Sequence, residues 1–483
     1  MPAELRDRLR RLCRDVSPGL PRPQARVVDA VARRLAEPVL RIGVAGRLKA
    51  GKSTLVNALL GQRLAATAAT ECTLVVTRFQ AGPQNRIEVR LRDGTRHTAL
   101  GRPGGGVPDD VGDLGAATAD IAEIVVEAAN EHLAGTHVLV DTPGLDSLTG
   151  LDPLSKAAIA EVDALLFVMP HPGAGDAEAL RELRNTATAA FTASNILGVL
   201  SRVDELGSGV DPWPDARRLA AAYRRRLDGL VHDVLPVHGL LAETALCDGF
   251  TEEDARMVGQ LRRVAPEVAA AALYSGATFL GDARLALDGQ ARARLLSMLG
   301  VHGLRQLTAL PGPPDRGAVA MLEHLRDASG IDALIDLIGR RFVDRADALR
   351  SVAAAATLRR LCPLPVHHQA PQALARLRDG LRTLDRHPVL RQARLTDAMA
   401  DLAVGRLRLP DTERTALLTL ATGNGAGEAL GVPGAGPAGL RAAADAEIRR
   451  WRSCERTPDR TVRRHARLAR EYCEALYFAD ALT

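Results

Sequence analysis

Gly46 and Gly51, with four residues between them and Lys52-Ser53 directly after, have a spacing that can cradle a phosphate chain. Glycines let successive backbone N–H groups turn toward phosphate oxygens, the Lys52 ammonium reaches the β- and γ-phosphates, and the Ser53 hydroxyl can ligate Mg²⁺ at a helix N-terminus. The phosphate-side contacts read from this stretch are Gly46, Ala50, Gly51, Lys52, Ser53 and Thr54. Lysine usage sharpens the reading. Of 63 Lys plus Arg, only Lys49, Lys52 and Lys156 are lysines, so two of the three ammonium groups lie in this one loop. A slender point charge is kept where it must enter a phosphate cradle, and arginine serves elsewhere.

Asp141-Thr142-Pro143-Gly144 is the second chemical signal. An apolar strand delivers the Asp141 carboxylate to the Mg²⁺ shell, and the Gly144 N–H can reach the γ-phosphate. The metal set is then Ser53, Asp141 and a threonine just ahead of the second strand, Thr73 by preference over Thr70, whose hydroxyl and carbonyl would hold Mg²⁺ and the attacking water. Ser201-Arg202-Val203-Asp204 ends a further apolar strand. There Asp204 can accept both N1–H and N2–H of guanine, donors that adenine lacks, and the Arg202 stem can pack along the base. His238-Gly239 would cap the base after the last strand. Lys52 and Thr73 are the residues expected to act on the transferred phosphate.

These groups need a scaffold. Residues 39–44 read as a buried strand and 53–60 as a helix with an inward apolar face. Strands follow at 74–79, 87–91, 136–141, 163–169, 196–200 and 235–237, with a hairpin partner after Asp93-Gly94, an exposed Gly/Pro-rich insertion at 101–106, and helices at 115–133 and 176–190. This alternation predicts an α/β domain over 37–250, a doubly wound and mainly parallel sheet with nucleotide at the carboxyl ends of its strands. Residues 3–16 and 22–36 read as two N-terminal helices (1–36) whose apolar faces a later helical region would cover. From 251 to 483 no strand is expected. Helical spacing recurs at 252–280, 283–300, 317–328, 330–360, 371–386, 389–404, 411–421, 437–453 and 460–480, the 330–360 stretch reading as one long stalk-like helix.

With 483 residues the chain can hold several cores, and 3% aromatic content favours helices packed through aliphatic seams over an all-β fold. A net charge of +5 is small for this length, and stacking aromatics are scarce, so nucleic acid is not an expected partner. Cys13, Cys72, Cys247, Cys362, Cys454 and Cys473 are scattered without metal-ligand spacing and read as free thiols of a reducing compartment. No signal peptide or run of 18 apolar residues is present, so the expected location is cytoplasmic, with a peripheral place on the inner face of the cell membrane left open.

Taken together, the sequence resembles the dynamin superfamily of large GTPases, and within it the actinobacterial dynamin-like proteins of the isoniazid-inducible IniC type. The resemblance is carried by Gly46 to Leu59, Ala69-Thr-Glu-Cys-Thr73, Asp141 to Gly144, Leu200 to Glu205 and Pro236 to Ala245. It implies a GTPase domain beside a helical bundle and stalk, GTP/GDP and Mg²⁺ as cofactors, pairing of G domains or with a related dynamin-like partner, and contact with anionic membrane lipid. It also implies a role for Lys49. Eukaryotic dynamins hold Gln-Ser where this chain has Leu48-Lys49, and guanylate-binding relatives place a cis arginine finger at the position of Lys49. Two segments are candidate membrane loops, 295–307 and 423–439, although neither carries Trp or Phe anchors. A nucleotide-gated structural subunit with little hydrolysis, and a soluble regulatory GTPase, are the competing readings.

Overall fold

The computed structural model describes residues 2–67, 75–101, 104–130, 133, 136–144, 158–171, 173–186, 195–206, 211–362, 370–403, 405 and 407–479. A nine-stranded sheet runs in the order β4-β3-β5-β2-β6-β1-β7-β8-β9. Its strands are β1 Leu40–Gly46, β2 Thr77–Ala81, β3 Arg86–Leu91, β4 Arg96–Ala99, β5 Ile121–Ala128, β6 His137–Asp141, β7 Ala164–Met169, β8 Ile196–Leu200 and β9 Asp233–Pro236. The β6-β1-β7-β8-β9 half is parallel throughout, whereas β2 is antiparallel to β6 and β3 is antiparallel to both β4 and β5.

Period-two alternation sorts the central strands onto two cores. Ala164, Leu166 and Val168 of β7 face one buried cluster with Leu40, Ile42 and Val44 of β1, while Leu165, Phe167 and Met169 face the other. All six β7 side chains are buried, as a strand covered on both faces requires. Each such side chain contributes about 1.5–3 kcal/mol of hydrophobic stabilisation.

The 115–133 stretch, expected as a helix, instead supplies a short 3₁₀ turn at Thr118–Asp120 and then β5. The β-branched run Ile124-Val125-Val126 has partners on both sides, parallel β2 and antiparallel β3. Cross-strand ion pairs tie it in place, Glu123 meeting Arg78 at 2.6 Å and Arg90 at 2.8 Å. The 101–106 segment is not wholly exposed either. Gly106 is buried, and the next residue, Val107, donates its N–H to the Leu64 carbonyl at 2.8 Å.

Beyond β9 no described residue forms a strand. The 252–280 stretch is three helices, Glu252–Arg262, Pro266–Ala272 and Gly276–Gly281, and Gly289–Thr308 is broken at Gly300. These helices and Ala318–Ser329 share a core that includes Leu241, Leu299, Leu304 and Met321. The stretch 330–360 is not one stalk-like rod. It divides into Ile331–Ile338, a π-turn at Gly339–Val343 and Ala346–Leu361. Its Ile331, Leu334, Leu337 and Phe342 are buried in the same cluster as β1 and β7, so the apolar stripe that suggested a rod is spent on the sheet. The N-terminal helices Pro2–Val16 and Arg22–Ala36 bury Leu5, Leu9, Val28 and Leu35 against Leu358, Leu374 and Leu377. The later helices enclose a further core around Trp451 and Tyr472.

One half-buried group gives the fold a pH response. His232, just before β9, has a buried Nδ1 with no hydrogen-bond partner among the described residues. Burial, then Arg341, Arg345 and Arg224, push its pKa down from 6.5 to about 3. Between those values the unfolded chain binds the proton and the folded chain does not, so stability is complete above about pH 6.5 and falls as pH drops. Denaturant unfolding between pH 7 and pH 4 should show a loss of up to about 3 kcal/mol from this site. His232→Phe should flatten that part of the profile; an unchanged profile would exclude the site.

Candidate functional site

β1 ends at Gly46 and the helix Lys52–Leu60 begins after Gly51, so the loop lies at the carboxyl edge of the central parallel strands. Gly46 has φ +154°, and a Cβ there would lie 2.3 Å from the Val168 carbonyl oxygen. Gly51 caps the helix at φ +86°, the left-handed region that glycine enters without steric strain. The Arg47 carbonyl accepts from Lys52 Nζ at 3.2 Å and from the Ala50 N–H at 3.2 Å. Lys52 is buried, and that burial lowers its pKa while the Asp141 carboxylate opposes the shift.

Ser53 Oγ donates to Asp141 Oδ2 at 2.8 Å, joining the loop to the end of β6. The other oxygen, Oδ1, is buried with no hydrogen-bond partner among the described residues. Burial raises the pKa of this carboxyl against the opposing pull of Lys52 and Ser53. An orphaned carboxylate oxygen beside a serine hydroxyl is a hard-oxygen donor set of the kind Mg²⁺ takes, so the residues fit the metal that the sequence implied. Ser53 and Asp141 would hold it, and it would screen phosphate charge. Gly144 lies against the loop, so close that a Cβ added there would be 3.1 Å from the Leu48 backbone. Thr73 and Thr70 lie outside the described residues.

The base-side residues meet in a cavity of about 280 Å³ lined by Gly51, Thr54, Ser201, Arg202, Asp204, His238 and Gly239, among others. Ser201 is tied to the loop, its Oγ donating to the Ala50 carbonyl at 2.8 Å. Arg202, at φ +52°, sends its guanidinium to the Lys49 carbonyl at 2.9 Å and to Glu205 at 2.6 Å. Arg202 lines the cavity, and its guanidinium holds the loop. Asp204 stays partly exposed, 3.5 Å from His238 Nε2. His238 caps the helix Gly239–Leu246, its Nδ1 accepting from the Leu241 N–H. Lys49 is exposed at φ +59°.

Sequence reasoning passed over three supports. Arg47 pairs with buried Asp176 at 3.2 Å, bracing the loop against the helix Ala174–Thr186. Asn57 donates to Glu243 at 2.7 Å and exchanges bonds with Ala65, fixing the root of the segment after the first helix. His302 stacks on His238 with ring centroids 5.2 Å apart. Only the Arg47 position, inside the loop motif, carried a local signal; the others are set by chain crossings.

A mostly parallel sheet, a glycine-rich P-loop at its carboxyl edge and a carboxylate-lined cavity beside that loop define a P-loop domain of the GTPase type, joined here to a large helical body. The chain belongs to the dynamin family, among its bacterial dynamin-like members. The Dynamin family profile matches residues 42–201. The isoniazid-induced protein IniC of Mycobacterium tuberculosis is 32% identical over 439 residues, 88% of this chain and 86% of that protein. A bacterial dynamin-like protein of Nostoc punctiforme is 28% identical over 151 residues, 29% of this chain and 22% of its own. A solved chain from an oligomerised bacterial dynamin pair is similar over 99% of this chain and 76% of its own, with 13% identity and a TM-score of 0.38, too loose to bear on function.

Proposed function

We propose that this chain binds GTP with Mg²⁺, hydrolyses it to GDP and phosphate, and couples that cycle to G-domain pairing or to a related dynamin-like partner. In this reading the cycle drives binding, remodelling or repair of the cell membrane from its cytoplasmic face. The observation that carries the nucleotide chemistry is the cluster of buried Lys52 and Ser53 with half-buried Asp141, whose Oδ1 has no hydrogen-bond partner among the described residues. The membrane role is supported by family membership. No helix among the described residues is long and apolar enough to cross a membrane.

Within the chain, Lys52 neutralises phosphate charge, Ser53 and Asp141 fix the cation, and Asp204 favours a base with two adjacent donors. Lys49, exposed on the loop rim, stabilises charge on the transferred phosphate once a partner domain closes the site. One feature favours the gated-subunit reading instead. Leu48, where eukaryotic dynamins place a glutamine, is an apolar side chain that is 47% exposed and cannot orient water.

GTP and ATP turnover measured against protein concentration, with and without phosphatidylglycerol vesicles, separates the two. The hydrolytic reading expects GTP-selective turnover that rises with concentration, and Lys49→Ala should lose most of that rise, about 10- to 100-fold, at near-normal GDP affinity. Tight GTP binding without turnover under every condition would leave the gated-subunit reading. Concentration-dependent turnover undiminished in Lys49→Ala would remove Lys49 from the chemistry.

A further inference from the structure

The cavity beside the loop contains a donor that no hydrogen bond among the described residues uses. His238 is 2% exposed, and its Nδ1 accepts from the Leu241 N–H, which puts the ring proton of the neutral imidazole on Nε2. That Nε2 is buried without a hydrogen-bond partner among the described residues and faces Asp204 Oδ1 at 3.5 Å. The separation is slightly long for a hydrogen bond, and such contacts commonly tighten when ligand arrives. Burial keeps the ring neutral, lowering its pKa to about 4.

The ring is held from outside the sheet. His302, 5% exposed, stacks on it at 5.2 Å with planes 17° apart. His302 belongs to the second half of Gly289–Thr308, beyond the break at Gly300. The next residue, Gly303, lies so close to Leu241 that a Cβ would meet its side chain at 2.6 Å. The His238 N–H itself donates to the Ser329 carbonyl at 2.9 Å. Two helices of the helical body thus set the position of a base-site side chain.

We propose that His238 is the positioning residue that orients Asp204 for guanine, and that His302 fixes His238 in that pose. The proposal rests on the guanine-nucleotide reading above. Asp204 must present both carboxylate oxygens to N1–H and N2–H in one plane. A donor on the outer lone pair of Oδ1 fixes that plane without competing for either base contact. The arrangement matters most for a base with both donors, and less for hypoxanthine, which keeps N1–H and lacks the amino group. Guanine preference therefore depends on the docking of a helix about a hundred residues downstream of Asp204, and by linkage guanine nucleotide stabilises that docking.

The test is calorimetric titration of the full chain with GDP, IDP and ADP. His238→Asn keeps an accepting side chain for the helix cap but is too short to reach Asp204. It should lose about ten-fold in GDP affinity and narrow the GDP-to-IDP ratio, because one hydrogen bond to a charged group is removed. His302→Phe, which keeps a stacking ring, should bind GDP nearly as the parent does, whereas His302→Leu, which fills volume without a ring, should lose several-fold. GDP affinity and GDP-to-IDP ratio unchanged in both His238→Asn and His302→Leu would overturn the proposal. A parent chain that binds ADP as well as GDP would overturn the nucleotide reading itself, a separate failure.

Discussion

Lys52→Ala is expected to lose GTP turnover by about 10³-fold and to lose the rise in thermal midpoint that bound nucleotide gives the parent chain. The ammonium is the one charge inside the cradle that can follow the β- and γ-phosphates, and in a buried site its contact is worth far more than at a surface. Its behaviour without nucleotide sharpens the test. Lys52 is 4% exposed, with a single hydrogen bond among the described residues, to the Arg47 carbonyl at 3.2 Å, and burial works against its charge. Burying an ammonium so thinly satisfied is unfavourable, so the variant should melt at or above the parent temperature when no nucleotide is present. Phosphate release and thermal unfolding with and without GTP read both effects. A variant that GTP still stabilises like the parent would show that Lys52 does not meet the phosphates.

Gly46→Ala should give the second large effect, this one on stability. β1 lies between β6 and β7, and Gly46 pairs with Val168 in the parallel register. A methyl group 2.3 Å from the Val168 carbonyl oxygen cannot be relieved by a rotamer change, because the obstacle is backbone. Either the strands part or the loop rotates, and both disturb the central sheet, so a loss of about 3 kcal/mol or more is expected. Gly51→Ala is the contrasting case. No atom of the described residues lies within 4 Å of its Cβ position, leaving the strain of φ +86°, of about 1 kcal/mol. Urea unfolding of the two variants should rank Gly46→Ala well below Gly51→Ala. Equal midpoints would mean that the close approach of β1 and β7 is not a constraint.

Much of this was legible in the residues. The β1–loop–helix unit, the strand ending in Asp141 and the strand ending near Asp204 all came from local signals, because each couples an apolar run to a polar tip. Their convergence followed from parallel strands whose carboxyl ends must share one edge. Elsewhere local pattern misled. Residues 121–128 place apolar and acidic side chains at a spacing that a helix could also use, and only the flanking strands, with Arg78 and Arg90 waiting for Glu123, select the extended form. The 330–360 stretch has a helical period throughout, yet period says nothing about what the stripe faces. Packing against the sheet, with a π-turn at Gly339–Val343, replaces the expected rod.

The sequence by itself determined the glycine-rich loop with Lys52 and Ser53, the placing of the Asp141 and Asp204 carboxylates at or just beyond strand ends and the presence of a large helical region, since each is written in residues close together along the chain. Tertiary structure alone decided which side chains support them. Asp176 against Arg47, Glu243 against Asn57 and His302 against His238 are separated by 129, 186 and 64 positions by residue number. No spacing rule reaches across such distances. These partners meet because the cores of the sheet and of the helices fix the crossing of their backbones, and the polar contacts form where that packing brings them together.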